Sequence, residues 1–218
     1  GDVITDPSPE FLALLRYGKQ MYLDSNVIFN VLTGGRQVRS GYGQVPIQEG
    51  VTEEADPITD LIVNNHKVSL QEGQLDLGGF GKGWLIDEVA KQLTELGSKH
   101  FLINGGGDMY ATCLRDDSPF EVYVEHPKEV GVTIAVVPLY NQALAVSSSY
   151  KRSWETADGA KKNHLHQEHV AAHIVAGTAL EADTMATICC LSQVQTIEKF
   201  DFLFWRNGTW TASNKFKG

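Results

Sequence analysis

A chain of 218 residues, 42% hydrophobic and 21% charged, is long enough to bury a core of its own. Its formal net charge of −9 argues against a nucleic-acid surface, which needs a concentrated excess of Lys and Arg. No run of about 18 apolar residues occurs, so no transmembrane segment is expected, and three cysteines are too few for a disulfide framework.

The first residues, Gly1-Asp2-Val3-Ile4-Thr5-Asp6, carry neither the basic nor the apolar region of a signal peptide. Ser8-Pro9-Glu10 reads as a helix start, with Ser as the cap and Pro in the first turn. Apolar residues at helical spacing follow over 11–23, through Leu12, Leu15, Met21 and Tyr22. Between 33 and 60 the pattern breaks into Gly, Gln, Glu and Pro, and a long loop is expected there. The stretch 68–75 reads as a short strand or hairpin and leads into Asp76-Leu77-Gly78-Gly79-Phe80-Gly81-Lys82-Gly83. The helix that follows is expected to present Leu85, Ile86, Val89, Ala90, Leu93 and Leu96 on one face and to stop at Gly97.

His100-Phe101-Leu102-Ile103-Asn104 reads as a buried strand, ended by Gly105-Gly106-Gly107-Asp108. Strand-like runs come next at 120–125, 132–139, 142–147 and 164–173, then a helix over 181–191. Cys189 and Cys190 in that helix read as small buried hydrophobes. The chain closes with apolar runs at 202–205 and 209–211 around Asn207-Gly208, a type I′ hairpin signal. Helices mixed with mostly antiparallel strands make the class α+β, with 1–218 read as a single domain.

Four groups of residues have the chemistry for a site. In the 76–83 string, glycines let a ligand approach the backbone, the helix N-terminus favours an anion and Lys82 adds a charge. A tight turn before a helix reads the same way, and Gly83 after Lys82 excludes a Walker motif. Asn104-Gly105-Gly106-Gly107-Asp108 suits something packed on the main chain, or a glycine-rich turn that Asp108 caps. In Glu181-Ala182-Asp183-Thr184-Met185-Ala186-Thr187, Asp183 and Thr187 share a helix face. A carboxylate and a hydroxyl there suit magnesium rather than zinc; a helix cap and a back-bonded hydroxyl are the alternatives. His164, His166, His169 and His173 form a cluster, with 164 and 166 on one strand face and 169 and 173 on one helix face if helical. No cysteine or carboxylate pattern completes it as a zinc site.

The order and spacing of these groups resemble the FAD:protein FMN transferases, the ApbE flavin transferases. The family segment D-x-G-G-x-x-K-G-x-x-x-D is matched by Asp76, Gly78, Gly79, Lys82, Gly83 and Asp87. Its N-x-G-G-D segment is matched by Asn104, Gly106, Gly107 and Asp108, and its A-D-x-x-x-T by Ala182, Asp183 and Thr187. Ser148-Ser149-Tyr150 looks like a variant of a serine-glycine-tyrosine stretch, and His164 fits the family histidine. The 11–15 segment and the stretch on to Phe29 resemble the family's first helix and turn.

The resemblance implies an ApbE-like FAD-binding fold. Asp183, Thr187 and a carbonyl of the 78–81 turn, assigned to Gly81, would hold Mg²⁺ against the pyrophosphate. Asp76, Gly78, Gly79, Lys82, Asn104, Gly106, Gly107, Asp108, Ser148 and Ser149 would contact FAD, and His164 would move a proton or contact a phosphate. The implied activity transfers FMN from FAD to a threonine of a partner protein with release of AMP. Some relatives hydrolyse FAD instead. An extracytoplasmic, often lipid-anchored location is implied in the same way.

The sequence also departs from the pattern. The family's usual N-terminal segment has no counterpart, and Phe29-Asn30-Val31-Leu32-Thr33-Gly34 stands where F-D-P-T-V-G is usual. Gln167-Glu168-His169-Val170-Ala171 replaces a D-P-x-T-G segment. These departures leave a second reading open, a catalytically weak FAD carrier or a ligand-free scaffold.

Overall fold

The structure is a computed structural model that describes residues 2–40, 55–150, 153–155, 161–163, 165, 167, 169–192 and 197–216. In chain order the elements begin with β1 (Asp2–Thr5), α1 (Pro9–Asp24), α2 (Gly34–Arg39), β2 (Leu61–Val63) and β3 (Lys67–Leu70). Then come α3 (Gly81–Glu95), β4 (Leu102–Asn104), β5 (Met109–Ala111), β6 (Phe120–Glu125), β7 (Thr133–Leu139) and β8 (Gln142–Ser148). The ribbon β9 (Ser153–Glu155) and β10 (Lys161–Asn163) follows, then β11 (Val170–Ala176), α4 (Ala179–Leu191), β12 (Asp201–Arg206) and β13 (Thr209–Ala212). Two compact units result: Gly1–Leu77 with Trp154–His164, and Gly78–Ser153 with Leu165–Gly218.

In the first unit, Ser8 caps α1 by accepting a hydrogen bond from the Phe11 amide at 3.2 Å, as its sequence position suggests. Leu12, Leu14 and Leu15 are buried. β3 is the middle of a three-stranded antiparallel sheet in the order β1-β3-β2, and its Val68 and Ser69 are buried. The loop expected over 33–60 contains the short helix α2. Gly34 and Gly35 start it, and the Gly34 amide donates to the Gln74 carbonyl at 2.9 Å. Tertiary pairing therefore supplies what the local sequence pattern lacks. Residues 41–54 of that expected loop lie outside the described residues.

The second unit is layered. Its six-stranded antiparallel sheet runs β13-β12-β11-β8-β5-β4. The two-residue side-chain period of a strand divides its faces. Ala143 and Ala145 of β8, Ala172 and Ile174 of β11, and Phe202 and Phe204 of β12 pack with Ala182, Ala186 and Cys190 of α4. Leu144, Val175 and Leu203 point the other way and pack with Val122, Val124, Val137 and Leu139 of the β6-β7 ribbon. Being covered on both faces, β11 is buried at every residue and α4 nearly all round, so neither shows a strongly amphipathic pattern. Asn207 and Gly208 both have positive φ, 49° and 92°, as a type I′ turn between β12 and β13 requires.

Cys189 and Cys190 are buried as expected; burial pushes the Cys189 thiol up to about 12 and Cys190 higher still. Three other expectations are corrected. Leu85 and Leu96 are exposed, because α3 buries the narrower stripe Gly83, Ile86 and Ala90. The 100–104 strand is an edge strand with Leu102 exposed, not a buried one. Among the described residues of the 164–173 run the strand is β11, which starts at Val170, so His173 is a strand residue and shares no helix face with His169.

Candidate functional site

The two helices of the second unit meet at their N-termini. No side chain of its own cap residue, Phe80, closes α3; the Gly83 amide instead donates to Asp183 Oδ2 on α4 at 3.0 Å. In return, Asp87 of α3 accepts the amides of Ala179 and Leu180, at 2.8 and 2.9 Å, and so caps α4. Thr178 adds the local cap, its hydroxyl accepting from the Glu181 amide. Each helix thus carries the carboxylate that satisfies the other's first turn, where the helix dipole favours negative charge. The approach is so close that a Cβ on Gly83 would lie 2.2 Å from the Ala179 carbonyl oxygen.

This crossing brings three of the sequence-predicted residues together. The Lys82 ammonium donates to Asp108 Oδ2 at 2.5 Å and to Asp183 Oδ1 at 2.9 Å. Asp108 Oδ1 accepts from the Val146 amide at 2.9 Å, which ties the cluster to β8. The carboxylates are almost sealed, with 3% and 2% of their side chains exposed against 31% for Lys82, so the ammonium forms the solvent side. Burial pulls the Lys82 pKa down, but the charges of Asp108 and Asp183 outweigh it and hold the ammonium above the usual lysine range. Burial, then repulsion from Asp108, raises Asp183 above the usual carboxylate range against the pull of Lys82. Burial likewise raises Asp87, against the two amide hydrogen bonds it accepts.

One turn along α4 from Asp183, the Thr187 hydroxyl donates to the Gly79 carbonyl at 3.2 Å and lies 3.2 Å from the Ser147 hydroxyl. The carbonyl beside Thr187 is therefore that of Gly79; Gly81 is the first residue of α3. Ser147 was missed in the sequence. The alternation Ala143, Ala145, Ser147 along β8 was the available signal, since the first two face α4.

Among the described residues, most of the other predicted ones have local roles. Asn104 Oδ1 accepts from the amides of Gly106 and Gly107, at 3.1 and 2.9 Å, so two amides of the glycine turn are bonded within it. The Ser148 hydroxyl accepts from the Tyr150 amide. The Ser149 hydroxyl both donates to the Val170 carbonyl and accepts from its amide, which binds the end of β8 to β11. In the first unit the Asp76 amide donates to Val31 at 2.8 Å, and the Thr33 hydroxyl lies 3.5 Å from its carboxylate. Gly78 is exposed. His164, like His166, lies outside the described residues. His173 is buried against the Leu203 carbonyl, and His169 lies beside the Tyr150 hydroxyl.

Asp183, Thr187 and the Gly79 carbonyl are hard oxygen donors, the kind that suits magnesium. Among the described residues, no three or more His, Cys, Asp or Glu side chains converge on a metal position. Nor is any described helix long and apolar enough to cross a membrane.

The sequence model of the ApbE family matches residues 2–201. Over 203 residues the chain is 25% identical to the FAD:protein FMN transferase of Rhodobacter capsulatus, which covers 84% of this chain and 39% of that protein. It is 28% identical over 173 residues to the FAD:protein FMN transferase of Escherichia coli K12, covering 67% of this chain and 49% of the relative. The chain thus spans about half, or less, of the length of these curated relatives. Its fold matches the ApbE protein of Thermotoga maritima with a TM-score of 0.84 over 98% of this chain and 78% of that one, at 19% identity. The Pseudomonas stutzeri flavinyl transferase ApbE, in its apo form, matches with a TM-score of 0.73 over 99% and 76%, at 21% identity. The fold so shared is the expected α+β one, and with a family match over most of its length the chain belongs to the ApbE family.

Proposed function

We propose that this chain is the FAD-binding region of a magnesium-dependent flavin transferase that moves FMN from FAD to a threonine of an acceptor protein. The observation that carries this reading is the convergence of Lys82, Asp108 and Asp183, from three separate motifs, on one cluster at the start of α3. The relatives' names, FAD:protein FMN transferase, support the activity.

In the reaction, the threonine oxygen bonds to the FMN phosphorus as the bond from that phosphorus to the AMP phosphate oxygen breaks. The hydroxyl proton goes to a base and AMP departs. When bound, Mg²⁺ neutralises charge on the pyrophosphate, which is the main demand of phosphoryl chemistry. Asp183, Thr187 and the Gly79 carbonyl would hold it, and Lys82 adds a positive charge on the solvent side of the cluster. Asp108 fixes Lys82, and Asp87 sets the register of α4 and with it the placement of Asp183 and Thr187. By family resemblance His164 is the base.

The test is a titration of the protein with FAD, with and without Mg²⁺, followed by analysis of the products with and without an acceptor protein. Metal-dependent binding with AMP release only when the acceptor is present is the expected result. AMP release without it would mean that water is the acceptor and the activity a FAD pyrophosphatase. Binding with FAD left intact would make the chain a flavin carrier, and Asp183→Ala that binds FAD unchanged would remove Asp183 from the site.

A further inference from the structure

Around the Lys82 cluster, every carboxylate oxygen has a partner, and the partners differ in kind. Asp108 Oδ1 and Asp183 Oδ2 are held by the main-chain amides of Val146 and Gly83. Those amides belong to β8 and α3 and cannot move without moving the fold. The other two oxygens, Asp108 Oδ2 and Asp183 Oδ1, both accept from the same ammonium. That ammonium ends a flexible four-carbon stem and is the most exposed member of the cluster. The backbone therefore fixes the carboxylates, and the carboxylates in turn hold the Lys82 ammonium.

A divalent ion held by Asp183 and Thr187 would need the Asp183 oxygen that Lys82 now occupies, since the other is bonded to α3. Two cations cannot share that oxygen at short range on a carboxylate almost sealed from solvent, because their repulsion there is only partly screened. Nor can Lys82 leave without an anion to receive it, for it supplies the counter-charge of two buried carboxylates.

We propose that Lys82 is a built-in cation that guards the Asp183 position, so that a divalent metal binds tightly only together with a pyrophosphate-bearing ligand that draws the ammonium off the carboxylates. Lys82 is then a positioning residue that couples metal and nucleotide. The inference rests on the magnesium part of the proposed function. Reciprocity makes each ligand strengthen the other by the same factor.

The test measures Mn²⁺ affinity by the spin-resonance signal of the free ion, on the chain as it stands and on two variants. Lys82→Met removes the guard but leaves two buried carboxylates facing each other. Lys82→Met with Asp108→Asn removes the guard at unchanged formal charge, and it decides the matter should the single variant fail to fold. Without FAD, Mn²⁺ is expected to bind the double variant about tenfold more tightly than the unaltered chain, and FAD should strengthen Mn²⁺ binding to the unaltered chain by about the same factor and to the variant much less. Equal Mn²⁺ affinity in the unaltered chain and the double variant would overturn the guard while leaving the metal site standing. Absence of Mn²⁺ binding to every form, with and without FAD, would overturn the magnesium reading and this inference together.

Discussion

At Gly83 a Cβ would stand 2.2 Å from the Ala179 carbonyl oxygen, whereas at Gly106 and Gly107 it would meet nothing within 4 Å. Both positions belong to glycine-rich turns that read alike in the sequence, and both flank the Lys82–Asp108–Asp183 cluster. Gly83 is needed for space: it lies in α3 with ordinary helical backbone, and α4 packs against it. Gly106 and Gly107 are needed for backbone angle, with φ of 84° and 110°, values that side chains disfavour whatever room they have. The first turn is thus part of a helix–helix interface and its cost of alteration is tertiary. The second is local, closed by Asn104 on its own amides.

The largest effect is expected from Gly83→Ala. The clash is with backbone, which yields only if α4 moves, and should cost about 3 kcal/mol or more despite the better helix propensity of Ala. Urea unfolding measures this, and a neutral outcome would show that the helices do not approach as closely as described. Asp87→Ala removes the two hydrogen bonds that cap α4 from α3 and is expected to cost about 2 kcal/mol. Combined with Gly83→Ala it should cost less than the sum, because both act on one interface; strict additivity in that cycle would separate the two contacts.

Gly107→Ala is expected to cost only about 1 kcal/mol, the strain of one residue at positive φ, and to leave the Asp87 and Gly83 effects unchanged. A loss as large as that of Gly83→Ala would erase the distinction between the two turns. The smallest effect concerns pH. Burial raises Asp87 above its ordinary value of 3.8, so the folded state holds that proton more tightly than the unfolded one. The resulting stabilisation is fully present below the unfolded pKa and is lost as pH rises through the folded one. Relative to Asp87→Asn, which has no such proton, the unaltered chain should lose stability from acid toward neutral pH. A flat or opposite difference in unfolding free energy between the two proteins would contradict the burial assigned to Asp87.

Much of the secondary structure could be read from short strings. Ser8-Pro9 starts α1, Asn207-Gly208 turns β12 into β13, and β6 has the bounds its apolar alternation suggests. The strands β1, β2 and β5 escaped because three or four residues are too few to show a period. The apolar content of 85–96 suggested a broad buried face on α3, but α3 buries only the narrow stripe Gly83, Ile86 and Ala90, which leaves Leu85 and Leu96 outside it. At the site, the serine stretch was visible, yet which serine meets α4 depends on the register of β8 against β11. That register sends Ser147 to Thr187 and uses Ser149 to bind Val170.

The sequence by itself determined the glycine turns, the cap of α1 and the three motifs that carry charge, because each is encoded within a few neighbouring residues. Only the tertiary structure decided that Lys82 lies between Asp108 and Asp183, the latter 101 residues away, and that α3 and α4 exchange capping carboxylates. Propensity and periodicity act over one or two turns of chain. The pairing of buried charges is settled by which groups packing shuts off from water together, and packing is a property of the whole unit.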